Sequence, residues 1–359
     1  MCGITGWIDF AKNLRGESKE ILAMTEALTH RGPDSDGIWR SQHVLFGHRR
    51  LAVIDLAGGK QPFEKDGYVI VYNGELYNTE LLREKLKGRG HHFQTTSDTE
   101  VLLAAFIEWK EGCTQYLDGI FAFAVWNHKE GTVFLCRDRL GVKPLFYKET
   151  ASGILFASEI KGLLAHRDVS AEIQIEGLAA LLSMGPSRIV GDGIFSGIKE
   201  LGPGCAMTIK REGSTWWRYW SVTERVHEQT LEETAAHVRQ LVTEAIEKQL
   251  VSDVPLCTFL SGGLDSSIIT AIAANTYKRT NRTLATYSVD YEGNHQYFEG
   301  SAFQTTEDRY WIQLMSEAYG TKHTEIVLTQ DDLVAHLELA MLHKDMPSMA
   351  DIDSSLYFI

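Results

Sequence analysis

Residues 255–260 form an apolar run, PLCTFL, that passes without a break into SGGLDSS at 261–267 and then into about 12 residues of helical pattern beginning near Asp265. A second apolar run follows at 284–290, so the order is strand, glycine turn, helix, strand. Such a βαβ unit joins parallel strands by a right-handed crossover and opens a ligand crevice at their carboxyl ends. The pattern continues with a helix over 307–319 and a strand over 323–328. The chain before it reads differently. Short β-like runs at 69–72, 121–126, 133–136 and 154–157 are separated by glycine-rich turns, with helical periodicity only at 18–28 and 99–109. Layers of helix on sheet fit that half, an α+β domain, whereas the second half reads as α/β. With 359 residues, two domains are expected. We place the first at 1–210, a linker at 211–230 where Trp216, Trp217, Tyr219 and Trp220 interrupt any period, and the second at 231–359, opened by an amphipathic helix over 231–250.

Charge and cysteine content narrow the function. Lys and Arg number 35 against 48 Asp and Glu, a net charge of −13, which disfavours a nucleic-acid partner because phosphate backbones need a basic face. No apolar run approaches the ~18 residues of a membrane span, and Asp9 and Lys12 interrupt any signal-peptide core, so the expected location is cytoplasmic with no membrane partner. Five widely spaced cysteines without a CxxC pair suggest neither disulfides nor a zinc site.

At SGGLDSS, two glycines let the backbone turn and approach a ligand, and the helix that follows aims unpaired N–H groups and partial positive charge at it. An anion is expected, with Ser261, Ser266 and Ser267 as hydroxyl donors. Asp265 would repel phosphate unless a divalent cation lay between them, which suggests Mg2+ with Asp265 as its ligand. The GxxxxGK[ST] spacing of a Walker A loop is absent. At the other end, Cys2 follows Met1, and loss of Met1 would put a thiol and an α-amine on one carbon. The amine's reference pKa of about 7.7 to 8.0 leaves much of it a neutral base near pH 7.

SGGLDSS after its strand, preceded by Val251, Ser252, Asp253, Val254 and Pro255, resembles the pyrophosphate loop of the ATP-pyrophosphatases, most closely the asparagine synthetases. MCGITG, HRGPD at 30–34, YNGELYN and RDRLGVKPLFY, in that order, resemble the class II glutamine amidotransferase domain, an N-terminal nucleophile hydrolase with a layered sandwich fold. The pair of resemblances matches the glutamine-hydrolysing asparagine synthetase family. It implies Cys2 as nucleophile, Asn73 and Gly74 as oxyanion donors, and Arg50 (rather than its neighbour Arg49) on the glutamine α-carboxylate. It also puts Asp98 on the α-ammonium, with Val53 and Glu75 beside the same pocket. ATP would bind at Leu260, Ser261, Gly262, Gly263, Asp265, Ser266, Ser267 and Val289, the adenine lying near Leu260 and Val289. The implied reaction forms β-aspartyl-AMP from aspartate and ATP and captures it with ammonia from glutamine. The alternatives are a relative acting on another carboxylate, as in the β-lactam synthetases, and a non-catalytic glutamine- or nucleotide-binding regulator. A homodimer is left open. The turn in RDRLGVKPLFY and the FASEIK segment at 156–161 read as structural. The family's later SGEGSDE-like loop is missing and the chain stops in an apolar run at Ile359, so an interrupted synthetase domain is expected.

Overall fold

The computed structural model describes residues 1–184, 189–300, 302, 306–346 and 350–358, and Ile359 lies outside them. The chain divides into two compact units, Met1–Glu224 and Arg225–Ile359.

The first unit contains twelve strands among the described residues: β1 Gly3–Asp9, β2 Ser35–Arg40, β3 Val44–Arg50, β4 Phe63–Lys65, β5 Tyr68–Leu76 and β6 Gly119–Asn127. These are followed by β7 Thr132–Arg137, β8 Phe146–Thr150, β9 Gly153–Ala157, β10 Ile198–Glu200, β11 Cys205–Lys210 and β12 Gly213–Arg218. Its helices are α1 Ser18–Glu26, α2 Thr79–Lys87, α3 Asp98–Trp109, α4 Ile160–Leu164 and α5 Ile175–Met184. The strands form two antiparallel sheets, ordered β10-β8-β9-β1-β3-β2 and β12-β11-β7-β6-β5-β4.

Period-2 alternation decides which side chains face where. In β6, Ala122, Ala124 and Trp126 pack with Ile4, Ile8, Val44 and Phe46 of the other sheet, making the core between the sheets. Their neighbours Phe121, Phe123 and Val125 face outward onto Leu82, Leu86 and the apolar face of α3. Helices α1 and α4 cover the far side of the first sheet, α1 against β1 and β3 and α4 against β9. The result is a four-layer helix–sheet–sheet–helix sandwich, the layered arrangement expected from the sequence.

Part of the segment read as a crossing between domains belongs to this sandwich. β12 pairs along its whole length with β11, and Trp217 packs on the second sheet with its ring 5.9 Å from Phe134. Trp216 beside it is 61% exposed. The alternation was real, but aromatic residues on both faces hid it.

The inward row of β3 runs Val44, Phe46, His48, Arg50, and His48 is fully enclosed, with Nε2 at 3.1 Å from Tyr72 O. Burial, with Arg50 nearby, pushes its pKa down to about 3. A folded pKa below the unfolded value means the proton is taken up on unfolding. The contribution of neutral His48 is therefore complete above about pH 6.5 and is lost as pH falls toward 3. Going from pH 6.5 to 5 is expected to cost the unit about 2 kcal/mol from this group. Thermal unfolding at both pH values tests this: His48→Gln is expected to flatten the acid slope, and an unchanged slope would contradict it.

The second unit holds a three-stranded parallel sheet ordered β13-β14-β15, from Cys257–Phe259, Ala285–Tyr291 and Lys322–Leu328. Around it are α6 Leu231–Lys248, α7 Leu264–Arg279, α8 Asn294–Tyr297, α9 Asp308–Tyr319, α10 Gln330–Lys344 and α11 Ala350–Phe358. The expected βαβ unit is β13-α7-β14, with α7 16 residues long rather than about 12. Thr230 and Glu233 close a capping box at the start of α6. No helix among the described residues is long and apolar enough to cross a membrane.

Candidate functional site

Three inward-facing rows of the sandwich end at one edge. Cys2 precedes Ile4 and Ile8 in the row of β1, Arg50 closes that of β3, and Asn73 and Glu75 extend Val69 and Val71 of β5. These ends surround a cavity whose volume, with its mouth, is about 590 Å³. Cys2, Arg50, Val53, Asn73, Gly74, Glu75 and Asp98 all line it. The seven residues chosen from sequence thus come together, although 96 positions separate the first from the last.

Each is held by its surroundings. Leu51 N donates to Cys2 Sγ at 3.4 Å, and Arg31 Nε donates to Cys2 O at 2.9 Å. Arg31 in turn is seated on Glu159, 2.5 Å away, which also receives His30 at 2.8 Å and Lys161 at 2.5 Å. The His30 hydrogen bond and the Arg31 and Lys161 charges hold the Glu159 carboxyl down at about 2 despite its burial. Ser158 Oγ accepts from Ile4 N at 3.0 Å. HRGPD and FASEIK, distant in sequence, therefore brace the start of the chain. Burial pushes the Cys2 thiol up, outweighing the pull of Leu51 N–H and Arg50. A protonated thiol of this kind needs a base before it can attack.

Arg50 donates to Ile54 O at 3.1 Å, Asp55 O at 2.6 Å and Leu56 O at 3.0 Å. A loop of carbonyls thus fixes the guanidinium. Gly59 allows the loop to close, because a Cβ there would stand 2.4 Å from Arg50 Nη2. Arg49 points the other way, 3.6 Å from Asp36. Asp98, the first residue of α3, accepts from Tyr72 Oη at 2.9 Å and Leu76 N at 3.2 Å. Burial nevertheless raises its pKa, so an approaching ammonium would find a carboxylate short of a counter-ion.

Asn73 is buried, and its Nδ2 has no hydrogen-bond partner among the described residues. Such an orphan donor costs about 1 to 3 kcal/mol unless something that binds repays it. Gly74 is fixed by contact: a Cβ would lie 2.3 Å from Ile120 O. Sequence reasoning missed Gln61, Thr99 and Lys143, which also line the cavity. Gln61 accepts from Tyr72 N at 2.6 Å and donates to Thr99 at 3.2 Å, joining two walls. Nothing in the local pattern distinguishes Gln61 from a surface glutamine.

In the second unit, Ser261–Ser267 forms the turn from β13 into α7, as expected. Gly262 adopts φ +78°, and a Cβ would meet Asp308 O at 2.8 Å, so the position requires glycine. Gly263 begins the helix with no side chain capping it, which leaves that end open to an anion. Ser266 Oγ bonds Ser261 Oγ at 3.0 Å. Leu260 is fully buried, its N–H donating to Tyr287 O at 2.8 Å. Val289 lines a different cleft, with Asp290, Asn294, Arg309 and Glu325, to which no residue of the loop contributes. Asp265 is exposed, and among the described residues no three His, Cys, Asp or Glu side chains gather to hold a metal. A Mg2+ here would have one protein carboxylate and would need phosphate and water for the rest of its shell.

Residues 1–220 match the glutamine amidotransferase domain family and residues 237–359 the asparagine synthase family. The chain is 30% identical over 357 residues to a putative glutamine-hydrolysing asparagine synthetase of Methanocaldococcus jannaschii, covering 87% of this chain and 68% of that protein. The chain belongs to the glutamine-hydrolysing asparagine synthetase family. It is 55% identical over 361 residues to asparagine synthetase [glutamine-hydrolyzing] 3 of Bacillus subtilis, covering 99% of this chain and 59% of that protein. It is also 33% identical to asparagine synthetase [glutamine-hydrolyzing] 1 of the same organism, over all of this chain and 55% of that one. The chain thus spans just under three fifths of the length of these two relatives.

Proposed function

We propose that the first unit hydrolyses glutamine at Cys2, and that the ammonia amidates aspartate activated by ATP in the second, giving asparagine. What carries the reading is the buried, unpartnered Nδ2 of Asn73 in one cavity with the Cys2 thiol. Once Met1 is removed, the Cys2 amine takes the thiol proton and sulfur attacks the amide carbonyl. Asn73 Nδ2 and the Gly74 N–H then hold the oxyanion. The C–N bond breaks, the amine returns the proton to the leaving ammonia, and water hydrolyses the thioester to glutamate. Arg50 and Asp98 take the α-carboxylate and α-ammonium, with Val53 and Glu75 beside them.

In the second step an aspartate β-carboxylate oxygen attacks the ATP α-phosphorus and pyrophosphate leaves. Ammonia then attacks the β-aspartyl-AMP and AMP leaves. Adenylation is needed because a bare carboxylate is a poor electrophile toward ammonia. The open start of α7 with Ser261, Gly262, Gly263, Ser266 and Ser267 suits the phosphates. Mg2+ arriving with the nucleotide would be held by Asp265 and would screen the phosphate charge.

Glutamate release from glutamine tests the first step, and asparagine formation from aspartate, ATP and glutamine tests the second. Absence of glutamate release would overturn the reading. Arg50→Ala is expected to cost on the order of 2 to 4 kcal/mol of glutamine binding, seen as a raised KM. It is also expected to lower Tm, since three loop carbonyls lose their donor. An unchanged KM would show that another cation holds the carboxylate.

A further inference from the structure

Lys143 is 6% exposed and lines the Cys2 cavity. Among the described residues its ammonium makes no ion pair, and its hydrogen-bonding contact is the Met1 thioether, 3.1 Å from Nζ. Sulfur is a weak acceptor, and a buried ammonium without a carboxylate is costly, so such a group calls for an explanation. The loop beneath is built to hold it in place. Asp138 accepts from the amides of Leu140 at 3.1 Å, Val142 at 3.0 Å, Lys143 at 2.9 Å and Phe121 at 3.2 Å. Arg137 donates to Lys143 O at 2.7 Å, Gly141 O at 2.8 Å and Leu201 O at 2.6 Å and pairs with Glu200 at 2.9 Å. Gly141 turns at φ +68°. The structural role expected of this turn accounts for Arg137, Asp138 and Gly141, but it gives no reason to bury a lysine.

We propose that Lys143 is a positioning cation of the glutamine site, which, with Met1 gone, faces the Cys2 amine and thiol and biases them toward neutral amine and thiolate. This rests on the reading of Cys2 as the nucleophile. The methionine thioether occupies the space in front of Nζ until it is removed. Of the charged groups around it, Glu75 on β5 acts on it most strongly, but burial raises the Glu75 pKa and weakens it as a counter-ion. Asp138 is engaged by four amides. On the Met1 amine, Arg31 and Lys143 both add to burial in lowering it, against the Cys2 thiol and Glu75, which raise it. Arg50 and Asp98 act on the thiol in opposite directions, and the Tyr72 phenol stays neutral. The cation at Lys143 is therefore not cancelled. Burial lowers its own pKa, the cost of holding it there.

The test compares Lys143→Met and Lys143→Arg with the wild type, using glutamate release against pH and the pH dependence of Cys2 alkylation by iodoacetamide, followed on the N-terminal peptide. Removing the cation makes both groups harder to deprotonate. In Lys143→Met both profiles are expected to move up by about one pH unit, with KM for glutamine changed less than about twofold. Lys143→Arg is expected to restore them. Met fills the lysine's volume without a charge, so the variant is expected to fold, and its Tm checks this. Profiles of Lys143→Met that superimpose on the wild type, or an Arg variant that behaves like Met, would overturn the proposal. If the wild type released no glutamate the glutaminase reading would fall, while the alkylation profile would still decide the role of Lys143.

Discussion

Cys2→Ala is expected to abolish glutamine hydrolysis while leaving the sandwich folded. The thiol is the proposed nucleophile, and no other cysteine has an amine beside it: Cys113, Cys136 and Cys205 are buried and Cys257 lies in the second unit. Burial holds the Cys113 and Cys136 thiols well above their usual range, so neither can substitute. Among the described residues the Cys2 sulfur makes long hydrogen bonds, donating to Leu51 O at 3.6 Å and accepting from Leu51 N at 3.4 Å, so losing it removes little hydrogen bonding. The expected effect is at least about 10⁴-fold in kcat with Tm nearly unchanged, because covalent catalysis fails outright without its nucleophile. A glutamate-release assay with thermal unfolding reads both quantities. Residual hydrolysis within tenfold of wild type would remove Cys2 from the mechanism.

The second large effect is expected at Asn73. Its side chain comes from the row that carries Val69 and Val71 into the core, so the backbone of β5 fixes where the amide points. Asn73→Ala takes away one donor to the developing oxyanion, and its expected cost is about 10² to 10³ in kcat. KM for glutamine should barely move, because Arg50 and Asp98 hold the ends of the substrate and not its reacting amide. Stability should hold or rise slightly, since an unpartnered buried donor is being deleted. That combination, kcat down with Tm level, separates an oxyanion donor from a core asparagine, whose loss would lower Tm and leave kcat largely intact.

The sandwich was legible in the sequence wherever one face of a strand is apolar and the other is not, or wherever the two faces meet different apolar layers in a short run, as at 121–126. It was not legible in β12, where Trp216 and Trp217 face solvent and core in turn and look alike in sequence. The Cys2 cavity could be assembled only because its residues lie in recognisable segments. No periodicity links Cys2 to Asp98, and what joins them is the packing of the sheet that holds β1 and β3 on the sheet that holds β5, with Asp98 bonded to Tyr72 Oη and Leu76 N of β5. Lys143 shows the limit. A lysine in a Gly-Val-Lys-Pro turn is normally solvated, and only the hydrogen bonds of Arg137 and Asp138 turn it inward. In the second unit the glycine turn into α7 was legible because only glycine fits it, whereas the separation of Val289 from that loop depends on how the segments after β14 pack.

The most direct measurement is mass spectrometry of the intact protein, rapidly quenched during turnover with glutamine. The proposed chemistry predicts a chain one methionine lighter than the translated sequence, beginning at Cys2, with a fraction carrying a glutamyl group that maps to the N-terminal peptide and disappears when glutamine is exhausted. A chain that keeps Met1 while releasing glutamate, or turnover with no acyl group on Cys2 at any quench time, would contradict it.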